Sequence, residues 1–486
     1  EKMHGNGLLL FPILFPMLMG LLIGTQKQER RRNGFVLLTV CVEFLVVLYL
    51  CFGEYALTVW QMTDKLDLAY HTDDMAKFFA VLISGIWILA AVFSFSYMKH
   101  EQNPERFFLF YTMTLGALMS LCFSNNMMTL YLSYEYMTLL TFPLVIHTKS
   151  VDAVRAGVKY LGYSIFGAGL GLLGFFFLNS YCITTSFIPG GSLNGLAVAG
   201  NEMTLLVVYL LMMIGFGCKA GMFPLQAWLP TAHPVAPSPA SAVLSGIITK
   251  GGVIAILRVT FYLVGADFVR GTWVQTTLLV LSILTIFMGS MLAYKERLLK
   301  KRLAYSTVSQ VSYVLFGIFL LHPIGFLGAL LQVVYHAIAN ILFFCAGAMI
   351  FRTEKTVVTE YSCLGKKMPV TMTAFTIASL SLIGIPPVAG FVSKWYLAEC
   401  GLLTISGSIG VVGVVILMVS ALLTAGYLLP IVLDAFFKKA EAFDTVKEAS
   451  YCMTIPLVVL SVMLILGGIF PFFFIQYIGG ISGVLF

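Results

Sequence analysis

The sequence is poor in charge. Only 10% of its 486 residues are Asp, Glu, Lys or Arg, whereas 59% are hydrophobic, and the mean hydropathy is +0.94. A soluble protein carries about 25% charged residues. No window reads as a separate soluble domain, so the composition predicts an all-α integral membrane protein with nearly all of its chain in the bilayer.

Motifs that hold cofactors are also missing. The nine cysteines are scattered, without a CxxC pair or a cluster with histidine, so the sequence indicates neither a disulfide framework nor an iron–sulfur or zinc site. There is no Gly-rich phosphate loop. We therefore expect no redox cofactor in this chain.

The first apolar run lacks a basic flank and a small-residue cleavage site, which argues against a cleaved signal peptide.

What the sequence does contain is a series of apolar runs of about 20 residues, the length that a helix needs to cross a bilayer. They predict about 14 transmembrane helices, at 7–24, 35–52, 78–97, 107–123, 127–146, 156–178, 204–223, 240–264, 274–292, 303–320, 324–351, 372–402, 409–436 and 453–477. Between the second and third helices, the polar–apolar alternation in KLDLAY predicts a short β-hairpin.

The basic residues are distributed unevenly between the connections. Those after predicted helices 1, 3, 5, 9, 11 and 13 hold 20 of the 29 Lys and Arg residues, whereas Lys2, Lys65, Lys77 and Arg270 fall in the others. The positive-inside rule then predicts basic connections in the cytoplasm and both chain termini outside, in a multi-pass protein of the inner (cytoplasmic) membrane. This asymmetry accounts for the net charge of +7 and argues against a nucleic-acid partner.

Two predicted spans are interrupted. Helix 7 runs into GCKAGMFPLQAWLPTAHPVAPSPAS, and helix 12 contains SLIGIPPVAGFVSKW. The breaks lie five helices apart, an odd offset that reverses the direction of the second copy, and broken helices in inverted repeats mark transport sites. We therefore predict two inverted five-helix repeats, helices 4–8 and 9–13. The expected division is 1–105 (peripheral helices and hairpin), 106–265 (first repeat), 272–437 (second repeat) and 438–486 (cytoplasmic loop and helix 14).

Ionisable residues within these spans are candidates for an ion path, because a charge in the bilayer is costly. They are Glu135, Lys219, Lys250, His336 and Lys394. Lys219 and Lys394 lie at the two breaks, and we take them as counterparts in the two repeats. Glu135 would control the charge of Lys219, and Lys250 and His336 would relay protons between the breaks.

Four of these residues also have a structural interpretation. Lys219 would then snorkel to the cytoplasmic interface, and Lys250 would bond to carbonyls of a broken helix. Glu135 and His336 would be interhelical hydrogen-bond partners.

Four further residues are weaker candidates. His233 is a secondary one, with capping of the proline-rich loop as its alternative. Glu43 is another, although helix 2 lies outside the repeats. Lys159 and Arg258 lie near helix ends, where snorkelling is the expected behaviour.

Three segments, FPLQAWLPTAHPVAPSPASAVLSGIITKGGVIAILR, KKRLAYSTVSQ and GIPPVAGFVSK, resemble one family. They are similar to the antiporter-like subunits of respiratory complex I, of membrane-bound hydrogenases and formate hydrogenlyases, and of Mrp-type cation/proton antiporters. The resemblance covers roughly helices 4–13. It implies 14 helices, two inverted five-helix repeats and broken helices 7 and 12. It also implies that Glu135, Lys219, Lys250, His336 and Lys394 form a hydrophilic axis across the membrane centre.

The sequence departs from the family at four positions. Thr231 stands where an aspartate is frequent, and Gln332 where many members have a second histidine. Asn340 replaces a lysine of some members, and Leu298 an acidic residue. We therefore expect the central path to depend more on water around His336.

These features predict a proton-translocating subunit of a larger membrane complex. The main hypothesis is a complex I-like redox-driven pump, such as an energy-converting hydrogenase or an NADH or ferredoxin oxidoreductase. The alternative is an Mrp-type Na+/H+ antiporter without redox activity; a stand-alone transporter is a third, disfavoured by the lack of an evident substrate pocket. The expected partners are lipid and other membrane subunits, including further antiporter-like ones, and the transported ion is H+, with Na+ as the alternative. Iron–sulfur, flavin or NiFe centres would belong to partner subunits.

Overall fold

The computed structural model describes residues 4–5, 7–403, 408–439 and 443–486. Lys2, most of the predicted connection between helices 12 and 13, and part of the loop after helix 13 lie outside the described residues. The described chain is mostly helical. Ten of its helices are long and apolar enough to cross a membrane, so the chain has the membrane-spanning character that the composition predicts, although the sequence predicts about 14 spans.

The principal helices are α1 (Phe11–Gly24), α2 (Glu29–Leu50), α3 (Asp74–Tyr97), α4 (Pro104–Cys122), α5 (Met127–Val145), α6 (Val151–Tyr181), α7 (Glu202–Ala220), α8 (Leu229–Val235), α9 (Ser238–Val264), α10 (Trp273–Lys295), α11 (Leu299–Phe319), α12 (Pro323–Thr353), α13 (Pro369–Ile383), α14 (Gly390–Leu403), α15 (Ser408–Phe437), α16 (Tyr451–Ile469) and α17 (Phe472–Leu485). Two stretches of α9, Leu244–Ile248 and Arg258–Val264, are π-helical. The regular course of α12 is interrupted at Asn340.

Local sequence determines where several helices begin. Asp73, Asn126 and Ser150 precede α3, α5 and α6, and each side chain accepts a hydrogen bond from a backbone N–H of the first turn. Such caps satisfy donors that a helix start leaves free. Proline opens α4, α12 and α13, where the missing N–H costs nothing.

The predicted hairpin is present, which confirms the interpretation of KLDLAY. Strand β2 (Tyr55–Gln61) pairs antiparallel with β3 (Asp67–His71), so that Ala56 lies opposite His71. A two-residue strand, β1 (His4–Gly5), adds to β2 in parallel. The N-terminal segment therefore lies at the same end of the molecule as the hairpin.

The basic connections lie together at the opposite end. Four contacts join neighbouring members of this group: Lys99 with Glu29, His147 with Gln102, Leu298 with Val357, and Lys367 with Asp444. Residues near the starts of α6 and α11, at this same end, also line one shared cavity. The predicted grouping of these connections on one side of the membrane is therefore consistent with the way they pack.

The connections after predicted helices 2, 4, 6, 8 and 10 meet at the hairpin end. The contacts there join Asn126 with Asp67, Thr185 with Lys65, Ile188 with Tyr262, Arg270 with Leu321, and Tyr477 with Asp74. The ring of the last residue, Phe486, lies 5.3 Å from that of Phe261. Both described ends of the chain thus share the hairpin end.

The helical conformation is interrupted at both predicted positions. After α7, Gly221 adopts a left-handed backbone conformation with a φ of 81°, and after α13, Gly384 does so with a φ of 90°. Glycine is suited to such positions because it has no Cβ to clash. Side chains take up backbone groups freed by each break: Thr285 accepts from the Phe223 N–H at 3.0 Å, and Ser381 from the Gly390 N–H at 3.1 Å.

The prediction of one helix over 453–477 is wrong. Helix α16 ends at Ile469, and α17 is a separate apolar helix. Pro471 accounts for the boundary, because its ring disfavours the helical conformation at the residue before it, and Phe470 has non-helical angles of −123° and 64°. Helix α17 packs on α12.

The left-handed conformation of Gly221 generates a stability prediction. We expect Gly221→Ala to lower the free energy of unfolding by about 1–2 kcal/mol, because a side chain is disfavoured at that φ. Gly162→Ala, on an open face of α6, is the matched control, and we expect it to be neutral or slightly stabilising. Thermal denaturation of the purified protein in detergent measures both; equal effects would contradict the account.

Candidate functional site

Lys219 points into the protein rather than to the interface. It lies in the last turn of α7 with no exposed surface, and its Nζ donates to the Tyr160 hydroxyl at 2.7 Å and to the Ser164 hydroxyl at 3.0 Å. The Tyr160 hydroxyl also lies 2.5 Å from that of Thr141 on α5. The amine therefore sits in a pocket of neutral hydroxyls, and the snorkelling interpretation is wrong for it.

Glu135 does not contact this amine directly. It is half-buried on α5 beside the exposed Tyr136, and no ion pair within 4 Å joins it to Lys219 in the described structure. The two charges are nevertheless close enough to interact electrostatically. A carboxylate in this position biases the charge of Lys219 across a gap instead of neutralising it by contact.

Lys250 and His336 are brought together from α9 and α12. The Lys250 Nζ lies 2.6 Å from the His336 Nδ1 and also donates to the Ser245 carbonyl at 3.1 Å. Both side chains are buried. An ammonium and an imidazolium are both donors without an acceptor site, so this hydrogen bond requires one of the two to be neutral. The pair therefore carries at most one positive charge in this contact.

Hydroxyl and amide groups extend this pair. The Ser245 hydroxyl lies 2.5 Å from that of Thr307 and donates to the Asn340 Oδ1 at 2.6 Å. The Asn340 Nδ2 donates in turn to the His336 carbonyl at 2.9 Å. The interruption of α12 at Asn340 thus lies beside the Lys250–His336 pair.

An amide bridge leads from His336 towards the second break. Gln332, one turn before His336, donates to the Gln310 Oε1 at 2.9 Å, and its own Oε1 accepts from the Ser393 hydroxyl at 2.7 Å. The Gln310 Nε2 points at the Leu382 carbonyl, 3.5 Å away.

Lys394 completes this series at the second break. Its Nζ also donates to the Leu382 carbonyl, in the last turn of α13, where the helix dipole favours a cation. It lies 5.1 Å from the centre of the Tyr313 ring. The Tyr313 hydroxyl joins a buried cluster with Ser420, Ser309 and Ser290, at oxygen separations of 2.5–3.2 Å.

The two secondary candidates stand apart. His233 is fully buried and stacks on Phe343, and neither of its ring nitrogens has a hydrogen-bond partner in the described structure. Its side chain therefore does not cap the proline-rich loop. Glu43 is also fully buried, and among the described residues neither of its carboxylate oxygens has a partner.

Arg258 corrects another expectation, because it does not snorkel. Its guanidinium is 1% exposed and binds Asp73 with two hydrogen bonds, of 2.5 and 2.8 Å. Burial acts to raise the pKa of the Asp73 carboxyl, but the charge and hydrogen bonds of Arg258, together with the Ala76 N–H, hold that pKa below its usual value. The pair ties α9 to the start of α3.

Sequence reasoning missed the partners of the candidate residues. Tyr160 and Ser164 were detectable, because two polar residues one turn apart in an apolar run place hydroxyls on one helix face. Gln310 gave no comparable signal. No group of three or more His, Cys, Asp or Glu side chains suited to a metal ion occurs in the described part of the chain.

The pattern of the chain matches a known family. Residues 124–424 match the family model for "NADH:quinone oxidoreductase/Mrp antiporter, TM", and residues 60–108 match "NADH-Ubiquinone oxidoreductase (complex I), chain 5 N-terminus". The chain belongs to this family of antiporter-like membrane subunits. The resemblance inferred from the sequence is thereby confirmed.

Individual relatives come from both branches of the family. NADH-quinone oxidoreductase subunit N of Desulforudis audaxviator is 32% identical over 372 residues, 75% of this chain and 72% of the relative. A Na(+)/H(+) antiporter subunit of Alkalihalophilus pseudofirmus is 28% identical over 483 residues, 94% of each chain. A chain in the structure of the Mrp complex from Dietzia sp. superimposes with a TM-score of 0.85 at 19% identity, over 98% of this chain and 97% of that one, which shows the shared fold.

The two break lysines lie on different sides of their breaks. Lys219 lies two residues before Gly221, whereas Lys394 lies ten residues after Gly384. When the two left-handed glycines are aligned, Lys394 matches Thr231. Whether the two lysines are counterparts in inverted repeats stays a prediction.

The Arg258–Asp73 pair generates a prediction. We expect Asp73→Asn, which retains the helix cap, to lower the free energy of unfolding by about 3 kcal/mol because it leaves a buried guanidinium unpaired. The stability difference between the native protein and Asp73→Asn should vanish at low pH. The ion pair stabilises the fold above the unfolded pKa of Asp, about 3.9, and this stabilisation is lost as the pH falls through the lower pKa of Asp73 in the folded protein.

Denaturation of Asp73→Asn, Arg258→Leu and the double variant measures this coupling. The double variant should lose less stability than the sum of the two single losses. Strict additivity would show that the two residues do not act as a pair.

Proposed function

We propose that this chain translocates protons within a larger membrane complex, along a path from Glu135 and Lys219 through Lys250 and His336 to Lys394. The observation that carries the proposal is a set of buried polar clusters at and between the two helix breaks: the hydroxyls around Lys219, the Lys250–His336 pair, and the amides beside Lys394. Charged groups in a bilayer are expensive, and their grouping along one route favours a shared function over separate structural roles.

The contacts suggest a role for each part of the path. Lys219 exchanges protons with its hydroxyl partners, and Glu135 biases its charge from a distance. Lys250 and His336 alternate in holding one proton. Gln332 and Gln310 do not titrate, so a proton crosses from His336 to Lys394 through water molecules. The two amides hold the Leu382 carbonyl in place through the Gln310 hydrogen bond.

The proposed architecture is two inverted five-helix repeats within a fold of 14 spans. The first comprises α4–α9, with α7 and α8 as one broken helix, within residues 106–265. The second comprises α10–α15, with α13 and α14 as the broken helix, within 272–437. Similar breaks, GMFP and GIPP, support the equivalence. We place residues 1–105, apart from the first two residues of α4, and residues 438–486 outside the repeats.

The proposed location is the cytoplasmic membrane, with the basic end in the cytoplasm and both termini outside. The partners are other membrane subunits, including further antiporter-like ones. The favoured assembly is a complex I-like redox-driven pump, with any iron–sulfur, flavin or NiFe centres in the partners. The 32% identity to an NADH-quinone oxidoreductase subunit supports it.

An Mrp-type Na+/H+ antiporter without redox activity is the second candidate. One observation favours it: the match to the Na(+)/H(+) antiporter subunit spans 94% of both chains. Both assemblies use the same path in this chain.

The path is tested by Lys219→Met in the intact complex. We expect proton translocation to be lost while the complex still assembles, because methionine keeps the volume of the side chain and removes its titrating group. Lys65→Met, in the exposed hairpin loop, is the control and should pump normally. Fluorescent pH indicators in membrane vesicles measure translocation, and native gels measure assembly. Normal pumping by assembled Lys219→Met would refute the path.

The two assemblies are separated by ion dependence. At fixed pH, proton movement driven by NADH, ferredoxin or hydrogen without added sodium supports the redox-driven pump. Proton movement that occurs only upon addition of Na+, and without an electron donor, supports the antiporter. Vesicles from cells lacking the chain provide the background for both measurements.

A further inference from the structure

At the basic end, an open cavity of about 360 Å³ lies between α6, α8 and the start of α11. Arg155 and Lys159 line it from α6, and Lys301 from α11, whereas Asp152 is the one carboxylate in its lining. Lys301 is 3.5 Å from Glu296, but in the described structure neither Arg155 nor Lys159 has an ion-pair partner within 4 Å. The cavity therefore has an excess of positive charge.

Without a bound anion, the arrangement of the two cations on α6 is electrostatically unfavourable. Arg155 and Lys159 are one helical turn apart on the same face, and like charges at that spacing repel each other. An anion between them and Lys301 would remove the repulsion and gain attraction from all three. The charge of the cavity thus calls for an anionic occupant.

The surface beside the cavity is apolar. Val151, Val154, Val158 and Ile165 form a stripe along α6, with exposed fractions of 67%, 43%, 60% and 52%. Their spacing of three, four and seven residues keeps them on one face of the helix. Pro230, Val235 and Leu298 continue the apolar surface into the cavity lining. A molecule with an anionic headgroup and aliphatic chains would match both the positive charge of the cavity and the apolar surface beside it.

We propose that this cavity binds the headgroup of an anionic glycerophospholipid, with its phosphate between Arg155, Lys159 and Lys301 and an acyl chain along the valine stripe of α6. Basic pockets between membrane helices are suited to such headgroups. The site is separate from the buried path, and the proposal does not depend on the proposed function.

The test is lipid binding to the purified, delipidated complex. Thermal stability is measured with added short-chain phosphatidylglycerol, with short-chain phosphatidylcholine, and with inorganic phosphate. We expect phosphatidylglycerol to raise the melting temperature and the other two to have little effect. The triple variant Arg155→Gln/Lys159→Gln/Lys301→Gln should bind phosphatidylglycerol on the order of a hundredfold more weakly, because three charges near the headgroup are lost.

The control removes the same number of charges from the same end. Lys27, Arg30 and Arg31 are exposed and lie outside the cavity, so their replacement by Gln should leave binding unchanged. Lys159→Arg preserves the charge and should bind normally, which provides a variant whose folding is not in doubt.

Several outcomes would overturn the proposal. An equal loss of binding in the two triple variants would show that only overall charge matters. An equal response to phosphatidylcholine would remove the role of the headgroup charge, and an equal response to inorganic phosphate would assign the site to a free anion. Cross-linking of residue 155 to a neighbouring subunit in the intact complex would give the cavity to a protein partner.

Discussion

A polar group inside a bilayer has no water to bond with, so its partner must come from the protein. Each helix break frees backbone groups that need donors or acceptors, and each buried amine needs acceptors. The Leu382 carbonyl shows how the two requirements meet. It lies at the end of α13, and Lys394 donates to it, with Gln310 directed at the same oxygen. The broken helix and the partly buried lysine therefore stabilise each other.

The same requirement gives the two break lysines different surroundings. Lys219 has hydroxyl partners, which both donate and accept hydrogen bonds. Lys394 has a backbone carbonyl, which accepts only. A hydroxyl pocket can pass a proton on and reorganise around a neutral amine, whereas a carbonyl at a helix C-terminus stabilises the charged form. The two ends of the series are thus chemically unequal, in line with their different positions relative to the breaks.

Much of the architecture was predictable because it is local. Hydrophobic run length gave most spans, Gly and Pro gave both breaks, and the alternation in KLDLAY gave the hairpin. The missed features join distant parts of the chain. Arg258 pairs with a residue 185 positions away, and no spacing rule anticipates that. The identities of Lys250 and His336 marked them as candidates, but only packing of α9 on α12 shows that they touch. The prediction of one helix over 453–477 failed because it followed the length of the apolar run and gave too little weight to Pro471, which ends the helix.

The contacts of α16 and α17 have a consequence for biogenesis. Ser450, just before α16, is hydrogen-bonded to Ser96 at the end of α3, 354 residues earlier, and Tyr477 bonds to Asp74 at the start of the same helix. Helix α3 is thus held at both ends by segments that leave the ribosome more than 350 residues after it. Until they arrive, one flank of α3 faces lipid or an insertion factor, and the bundle closes only when the last helices are in place.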